Sequence, residues 1–237
     1  MYEGKITETL TGLVDEFLAR TSFFPVWNRG AGDKRVSPAF LLSFDSLVRS
    51  FPSLIAAGAA RALDEKTRAV LAVNLYQECG EGDIRRTHHA IYRKYLATAG
   101  LEPAAENEAD FAARWRVDLL KYIQGVPSPL AALGALAAGE FLAQPVLSRI
   151  FPLLQDQYPG ADQEYFTKHL DLETEHVREI TELLAGQIHG ETGWAEVLGG
   201  FQFGLSVWET YFEGLAEYLE QAKEPIHHQD TKAPRKT

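Results

Sequence analysis

One acidic residue interrupts the longest apolar stretch of this chain. Between Lys121 and Arg149 the sequence reads YIQGVPSPLAALGALAAGEFLAQPVLS, and Glu140 is the one charged residue in it. A helix this apolar is normally buried, and a buried carboxylate is unfavourable unless it pairs with a cation or binds a metal ion. The sequence therefore predicts a buried polar site on this helix.

Helical periodicity dominates the chain, and the alternation typical of strands is almost absent. Pro52 and Asp64 are placed to begin helices, whereas Pro145 and Pro152 are expected to kink or break the helix that contains Glu140. We therefore predict an all-α protein, folded as one bundle of seven to nine helices. The predicted helices span roughly residues 4–20, 37–50, 52–63, 65–78, 84–99, 108–124, 128–156, 162–188 and 191–222.

Length and charge exclude several classes of protein. A chain of 237 residues with 46% apolar content is long enough for one large domain with a sizeable core, which we expect at residues 1–222. The polar tail at 223–237 is predicted to be disordered. The net charge of −10 disfavours nucleic acid and anionic membrane as partners, because phosphate binding needs a basic patch. The amino-terminal residues lack a signal pattern and no apolar run is long enough to span a membrane, so we expect a cytoplasmic protein.

Three ligand-type side chains share one face of the predicted helix at 162–188. His169, Glu173 and His176 fall at roughly 0°, 40° and −20° on a helical wheel. Phe166 and Ile180 extend the same stripe with apolar residues. Any one of these histidines is more often a satisfied core residue or a surface residue, but three such groups in an apolar stripe favour a metal site. The sequence predicts that this helix and the Glu140 helix share that site.

A second set of candidate ligands surrounds the glycines of NLYQECGEGDIRRTHH, residues 74–89. Glu78 ends one predicted helix and His88 lies early in the next, so a flexible glycine link can bring them to one point. Glu81 and His89 are neighbours that remain alternatives to these two. Cys79 is the one cysteine of the chain, which excludes a disulfide and a cysteine-rich zinc site, and we expect it to be a small buried residue.

Three carboxylates and three imidazoles form the resulting candidate set. Neutral imidazole with carboxylate suits iron or manganese, and six ligands are more than one catalytic ion with open positions needs. Two divalent ions would also balance three buried negative charges. The candidate metal ligands are Glu78, His88, Glu140, His169, Glu173 and His176.

The order of these residues resembles the haem-oxygenase-like diiron oxidases and oxygenases. Glu78 and His88 look like that family's first ligand block, Glu140 like its isolated second Glu, and His169-x-x-x-Glu173-x-x-His176 like its closing motif. The resemblance covers roughly residues 20–215. It implies a haem-oxygenase-like bundle of about seven core helices, two Fe(II) ions, O2 as cosubstrate, a small-molecule substrate and a homodimer.

Three departures from the family pattern bear on the substrate. The closing motif more often has Asp where this chain has Glu173, which lengthens one ligand by a methylene group. Relatives that make para-aminobenzoate have a lysine after the second Glu, and none occurs here between Lys121 and Lys168. Many relatives also carry an arginine in the final helix where this chain has Trp208, so a carboxylate anchor is absent at that position.

The resemblance implies a nonhaem diiron oxidase or oxygenase. Such an enzyme activates O2 to oxidise a small amine, amino acid or carboxylic acid, by N-oxygenation or oxidative C–C cleavage, in a biosynthetic pathway. Two alternatives stay open: a fatty-acid oxidative decarboxylase, and a metal-free helical binding protein whose acids and histidines form a buried network. Six aromatic residues near the two ends of the chain are expected to be core: Phe23, Phe24, Trp27, Trp208, Tyr211 and Phe212.

Overall fold

The computed structural model describes residues 2–30, 33–102 and 109–223, except for the side chains of Tyr2 and Glu173. Within these ranges the chain is all-α, as predicted, with no strand. The predicted tail lies outside the described residues apart from Lys223, which ends the last helix. The helices are α1 Tyr2–Arg20, α2 Phe23–Gly30, α3 Val36–Arg61, α4 Glu65–Glu78, a 3-10 turn Ile84–Arg86, α5 His88–Thr98, α6 Asp110–Gly125, α7 Pro129–Gln157, α8 Glu164–Gln187 and α9 Gly190–Lys223.

Prolines do not divide the helices as the sequence suggests. The predicted helices 37–50 and 52–63 are one helix, α3, with Pro52 inside it, and α7 continues through Pro145 and Pro152. Both helices bury apolar side chains on either side of these prolines, and that tertiary packing outweighs the lost backbone hydrogen bonds. The short helix α2 was not predicted; it buries Phe23 and Trp27 against the core.

Helix α7 lies at the centre of the bundle and packs most extensively against α9, then against α8. Glycines allow the close approach of α7 and α9. A Cβ atom added at Gly200 would lie 2.0 Å from the Ala131 carbonyl oxygen, and one at Gly134 would lie 2.3 Å from the Val197 carbonyl oxygen. The two backbones are therefore in direct contact, and this fixes the position of α9 relative to Glu140.

Two helices, α3 and α7, are long and apolar enough by length and composition alone to cross a membrane. In the most apolar window of α7, 78% of the residues are buried inside the protein. Such burial is typical of the core helix of a globular bundle.

A tight loop joins α4 to α5. Gly80, Glu81 and Gly82 all have positive φ angles, of 77°, 56° and 92°. The Thr87 side chain then accepts a hydrogen bond from the Ala90 amide and caps α5. The loop thus places the last residue of α4, Glu78, opposite the first residue of α5, His88.

Candidate metal centre

Three ligand-type side chains from three helices meet in the interior. Glu78 from α4, His88 from α5 and His169 from α8 each place one potential ligand atom within 4.8 Å of the other two. The Glu78 Oε1 atom lies 2.9 Å from His88 Nδ1, and the rings of His88 and His169 have centroids 4.4 Å apart. These three predicted ligands are therefore brought together as a cluster.

The fourth and fifth predicted ligands form a neighbouring pair. Glu140 Oε2 on α7 lies 3.4 Å from His176 Nδ1 on α8, and both side chains are buried. Asn74 on α4 donates a hydrogen bond of 3.3 Å to the other carboxylate oxygen, Glu140 Oε1. Asn74 was missed in the sequence, although it lies one helical turn before Glu78 and so shares its face.

The sixth predicted ligand, Glu173, lies on α8 between His169 and His176, but its side chain is outside the described part of the structure.

The donor set fits a metal ion because several of its atoms are buried without a hydrogen-bond partner among the described residues. Both ring nitrogens of His88 and the Nε2 atom of His176 are in this state. The short contact from Glu78 to His88 lacks hydrogen-bond geometry, so two ligand atoms lie close together without bonding to each other. Unsatisfied buried nitrogens beside buried carboxylates are costly in a metal-free core and are satisfied by a shared cation.

His169 is held in the form that binds metals. Its Nδ1 lies 2.7 Å from the Tyr165 carbonyl oxygen, which can only accept, so Nδ1 donates and the lone pair of the neutral ring is on Nε2. Burial first, and then the nearby His88, lower the pKa of His169 to about 4. The ring is therefore neutral at physiological pH. Tyr165 was also missed in the sequence, although it lies four residues before its partner.

The surroundings of His176 shift its pKa in the opposite direction from that of His169. Burial lowers the pKa of His176, but its hydrogen bond to Glu140 and the charges of Glu140 and Glu78 outweigh this, and the pKa is raised overall. A cation that binds here must therefore compete with a proton on His176.

The two alternative ligands have other partners. His89 Nε2 lies 3.0 Å from Asp45 Oδ1, and Arg93 binds the same buried carboxylate with its Nε atom at 2.7 Å. Glu81 is exposed, with its carboxylate 3.7 Å from the guanidinium of Arg86. Cys79 is exposed as well, which corrects the expectation that it is buried. It is the C-cap residue of α4 and is not part of the buried cluster.

A cavity opens beside the cluster. It is lined by Glu78, Glu140 and His169 at the ligand side and by apolar and aromatic residues of α3, α7 and α9 elsewhere. The cavity has a volume of about 70 Å³. Trp208 and Tyr211, expected as core, are indeed buried, but they also line this cavity.

The sequence of residues 39–209 matches the model of a family described as iron-containing redox enzymes. This chain belongs to that family. It is 26% identical over 175 residues to a 4-chloro-allylglycine synthase from Streptantibioticus cattleyicolor. The alignment covers 72% of this chain and 66% of that protein, which is slightly less than two thirds of the relative's length.

Solved structures share the fold. A CADD-like protein of unknown function from Nostoc punctiforme PCC 73102 superposes with a TM-score of 0.75 at 18% identity, over 90% of this chain and 98% of that one. A domain of unknown function with a haem oxygenase-like fold from Shewanella denitrificans OS217 gives a TM-score of 0.66 at 14% identity, over 94% and 92% of the two chains. The family match and this likeness confirm the predicted haem-oxygenase-like, all-α fold.

Proposed function

We propose that this protein is a nonhaem diiron enzyme that uses O2 to oxidise a small amine, amino acid or carboxylic acid in a biosynthetic pathway. The family match supports an iron-dependent redox activity. The relative named for making 4-chloro-allylglycine supports an amino-acid-related substrate. The observation that carries the proposal is the buried cluster of Glu78, His88 and His169, in which neither His88 nitrogen has a hydrogen-bond partner among the described residues.

The ligands divide between two ions in this proposal. The clustered side chains of Glu78, His88 and His169 would hold one ion, Glu173 and His176 would hold the other, and Glu140 would be shared between them. The sharing is supported by the position of Glu140, which pairs with His176 and lines the same cavity as Glu78. Bound iron would supply the reduction of O2, which no protein side chain can perform.

The chain's own residues prepare the site for this chemistry. The Tyr165 carbonyl orients His169, and Asn74 orients Glu140, as partners of ligands do in metal enzymes. The apolar lining of the cavity limits the entry of water and strengthens electrostatic interactions within it. Substrate binds in this cavity, next to the ligand cluster.

Iron loading and O2 consumption test the proposal. Purified protein is loaded with Fe(II) without oxygen and then mixed with O2 in the presence of candidate acids, amines and amino acids. We expect Glu78→Gln, Glu140→Gln, His88→Gln and His169→Gln each to lower the bound iron and to abolish O2 consumption, with the circular dichroism of a folded helical protein retained. Matched substitutions at exposed positions, Glu81→Gln and His189→Gln, should leave the bound iron and the O2 consumption unchanged.

The competing proposal is a metal-free helical binding protein that uses the same groups as a buried polar network. In that case the wild-type protein would bind no stoichiometric iron and the buried substitutions would change stability alone. The predicted homodimer and cytoplasmic location belong to our proposal and are checked by light scattering and by cell fractionation.

A further inference from the structure

The carboxylates and the imidazole that line the cavity are confined to one side of it. Glu78, Glu140 and His169 come from α4, α7 and α8, whereas α3 and α9 contribute an apolar and aromatic wall that includes Phe51. Of the described residues that line the cavity, none is Lys or Arg. A second charge on the substrate, away from the ligand cluster, would therefore be buried without a counter-ion, which is strongly unfavourable.

Two hydrogen-bond donors in the aromatic wall lack partners. Trp208 and Tyr211 lie three residues apart on α9, so they share a face, and their ring centroids are 5.7 Å apart. The Trp208 Nε1 and Tyr211 Oη atoms are both buried, and neither has a hydrogen-bond partner within the part of the chain that the structure describes. Burial also raises the pKa of Tyr211, so this hydroxyl keeps its proton and can donate.

The indole of Trp115 provides an internal comparison. Its Nε1 atom is also buried without a partner, and its ring packs 4.8 Å from that of Trp208. Trp115 does not line the cavity, however, because it lies on α6 behind the α9 wall. The unpaired donor on Trp115 therefore belongs to a residue outside the cavity lining, whereas those on Trp208 and Tyr211 belong to lining residues.

We infer that the substrate has an apolar body that carries one uncharged hydrogen-bond acceptor, bound by Trp208 Nε1–H and Tyr211 Oη–H. This inference rests on the proposed function and narrows its substrate class. The charged head of the molecule would lie at the ligand cluster. Compounds that carry a further charge on the body would be rejected.

Ligands that differ by one atom or group test this directly. Octanoate and 6-methoxyhexanoate are matched, because an ether oxygen replaces one methylene group, and heptanedioate places a second charge at the same end. Octylamine, 6-methoxyhexylamine and 7-aminoheptanoate form the same series with an amine head. Binding is measured by calorimetry on metal-free protein and on protein loaded anaerobically with Fe(II).

We expect Trp208→Phe and Tyr211→Phe each to reduce the preference for the methoxy compound over its alkyl match by about fivefold, the net value of one hydrogen bond. The preference should change less than twofold in Trp115→Phe, and the doubly charged ligands should bind at least tenfold more weakly than the methoxy compounds. An unchanged preference in both α9 variants, equal binding of the doubly charged ligands, or no binding of any probe would overturn the inference.

These outcomes are separate from those for the diiron proposal. If the protein binds no iron but the ligand preferences shift as expected, the inference stands and the proposed function fails. If iron loads and O2 is consumed but the preferences do not shift, the proposed function stands and the inference fails.

Discussion

Two histidines of the same helix illustrate how single residues are tuned in this site. His169 is neutral because burial and the nearby His88 lower its pKa, whereas Glu140 raises the pKa of His176. The His169 ring is thus neutral near neutral pH, whereas a cation that binds His176 competes more strongly with a proton. The difference comes from the partner that each ring meets, because both belong to α8.

The low pKa of His169 predicts a loss of stability in acid. In the unfolded chain the ring takes up a proton near its ordinary pKa of 6.5, but in the folded metal-free protein it does so only near pH 4. The unfolded state therefore binds more protons between these values, and the free energy of unfolding should fall as the pH drops from about 6.5 to about 4.

Urea unfolding of the metal-free protein at several pH values measures this effect. His169→Gln should weaken the fall because Gln does not titrate, while His189→Gln, at an exposed position, should retain it. Identical pH profiles for wild type and His169→Gln would contradict the assignment of a neutral buried ring.

The hydrogen bond from Asn74 to Glu140 leads to a second prediction at the residue scale. Asn74→Leu removes the amide that donates to Glu140 while keeping a side chain of similar size. Because partners of ligands tune metal affinity, we expect iron affinity to fall by about tenfold, with the thermal unfolding midpoint little changed. Anaerobic Fe(II) titration measures the affinity. Unaltered affinity would mean that Asn74 does not position Glu140.

At the scale of elements, the loop between α4 and α5 determines whether Glu78 and His88 meet. Gly80 has a φ angle of 77°, and a Cβ atom there would lie 2.3 Å from the Asp83 carbonyl oxygen and 2.5 Å from the Thr87 nitrogen. Only glycine fits both the angle and the space.

Gly80→Ala should therefore displace the loop, lower iron binding and destabilise the protein. Gly100→Ala is a matched control, since Gly100 has a φ angle of 75° but no atom within 4 Å of the added Cβ. We expect the control to cost about 1–2 kcal/mol from backbone strain alone and to leave iron binding unchanged. Equal effects of the two substitutions on iron binding would show that the loop geometry is not needed for the site.

The contact between α7 and α9 sets the position of Glu140, on α7, relative to the aromatic wall that α9 contributes to the cavity. Gly200→Ala would force the added Cβ against the backbone of Ala131, whereas the neighbouring Gly199 has nothing within 4 Å. We expect Gly200→Ala to lower the thermal unfolding midpoint clearly. Gly199→Ala should raise stability by up to about 1 kcal/mol through helix propensity. Calorimetric melting of both variants checks this, and a stabilised Gly200→Ala variant would contradict the close approach.

At the scale of the whole molecule, the features of the fold and the site that could be predicted are those with a signal in the local sequence. The all-α class follows from periodicity, and the cluster of Glu78, His88 and His169 follows from residue spacing and the family resemblance. Asn74 and Tyr165 each lie four residues before a predicted ligand, so the i, i+4 spacing on a helix face could have identified both.

Other parts depend on long-range packing and have no local signal. Arg93 on α5 donates a hydrogen bond to Asp45 on α3, which lies 48 positions earlier in the chain. Helix α3 continues through Pro52 because residues on both sides of the proline are buried. Similarly, nothing local distinguishes Trp208, which lines the cavity, from Trp115, which packs behind it.

The most direct test of the diiron proposal is the number of iron ions that each chain binds. Metal-free protein is dialysed to equilibrium against Fe(II) without oxygen, and iron and protein are quantified together. Our proposal predicts close to two ions per chain in the wild type and fewer in Glu140→Gln, which removes the shared ligand. A wild-type chain that binds no iron, or that keeps its full content after Glu140→Gln, would contradict it.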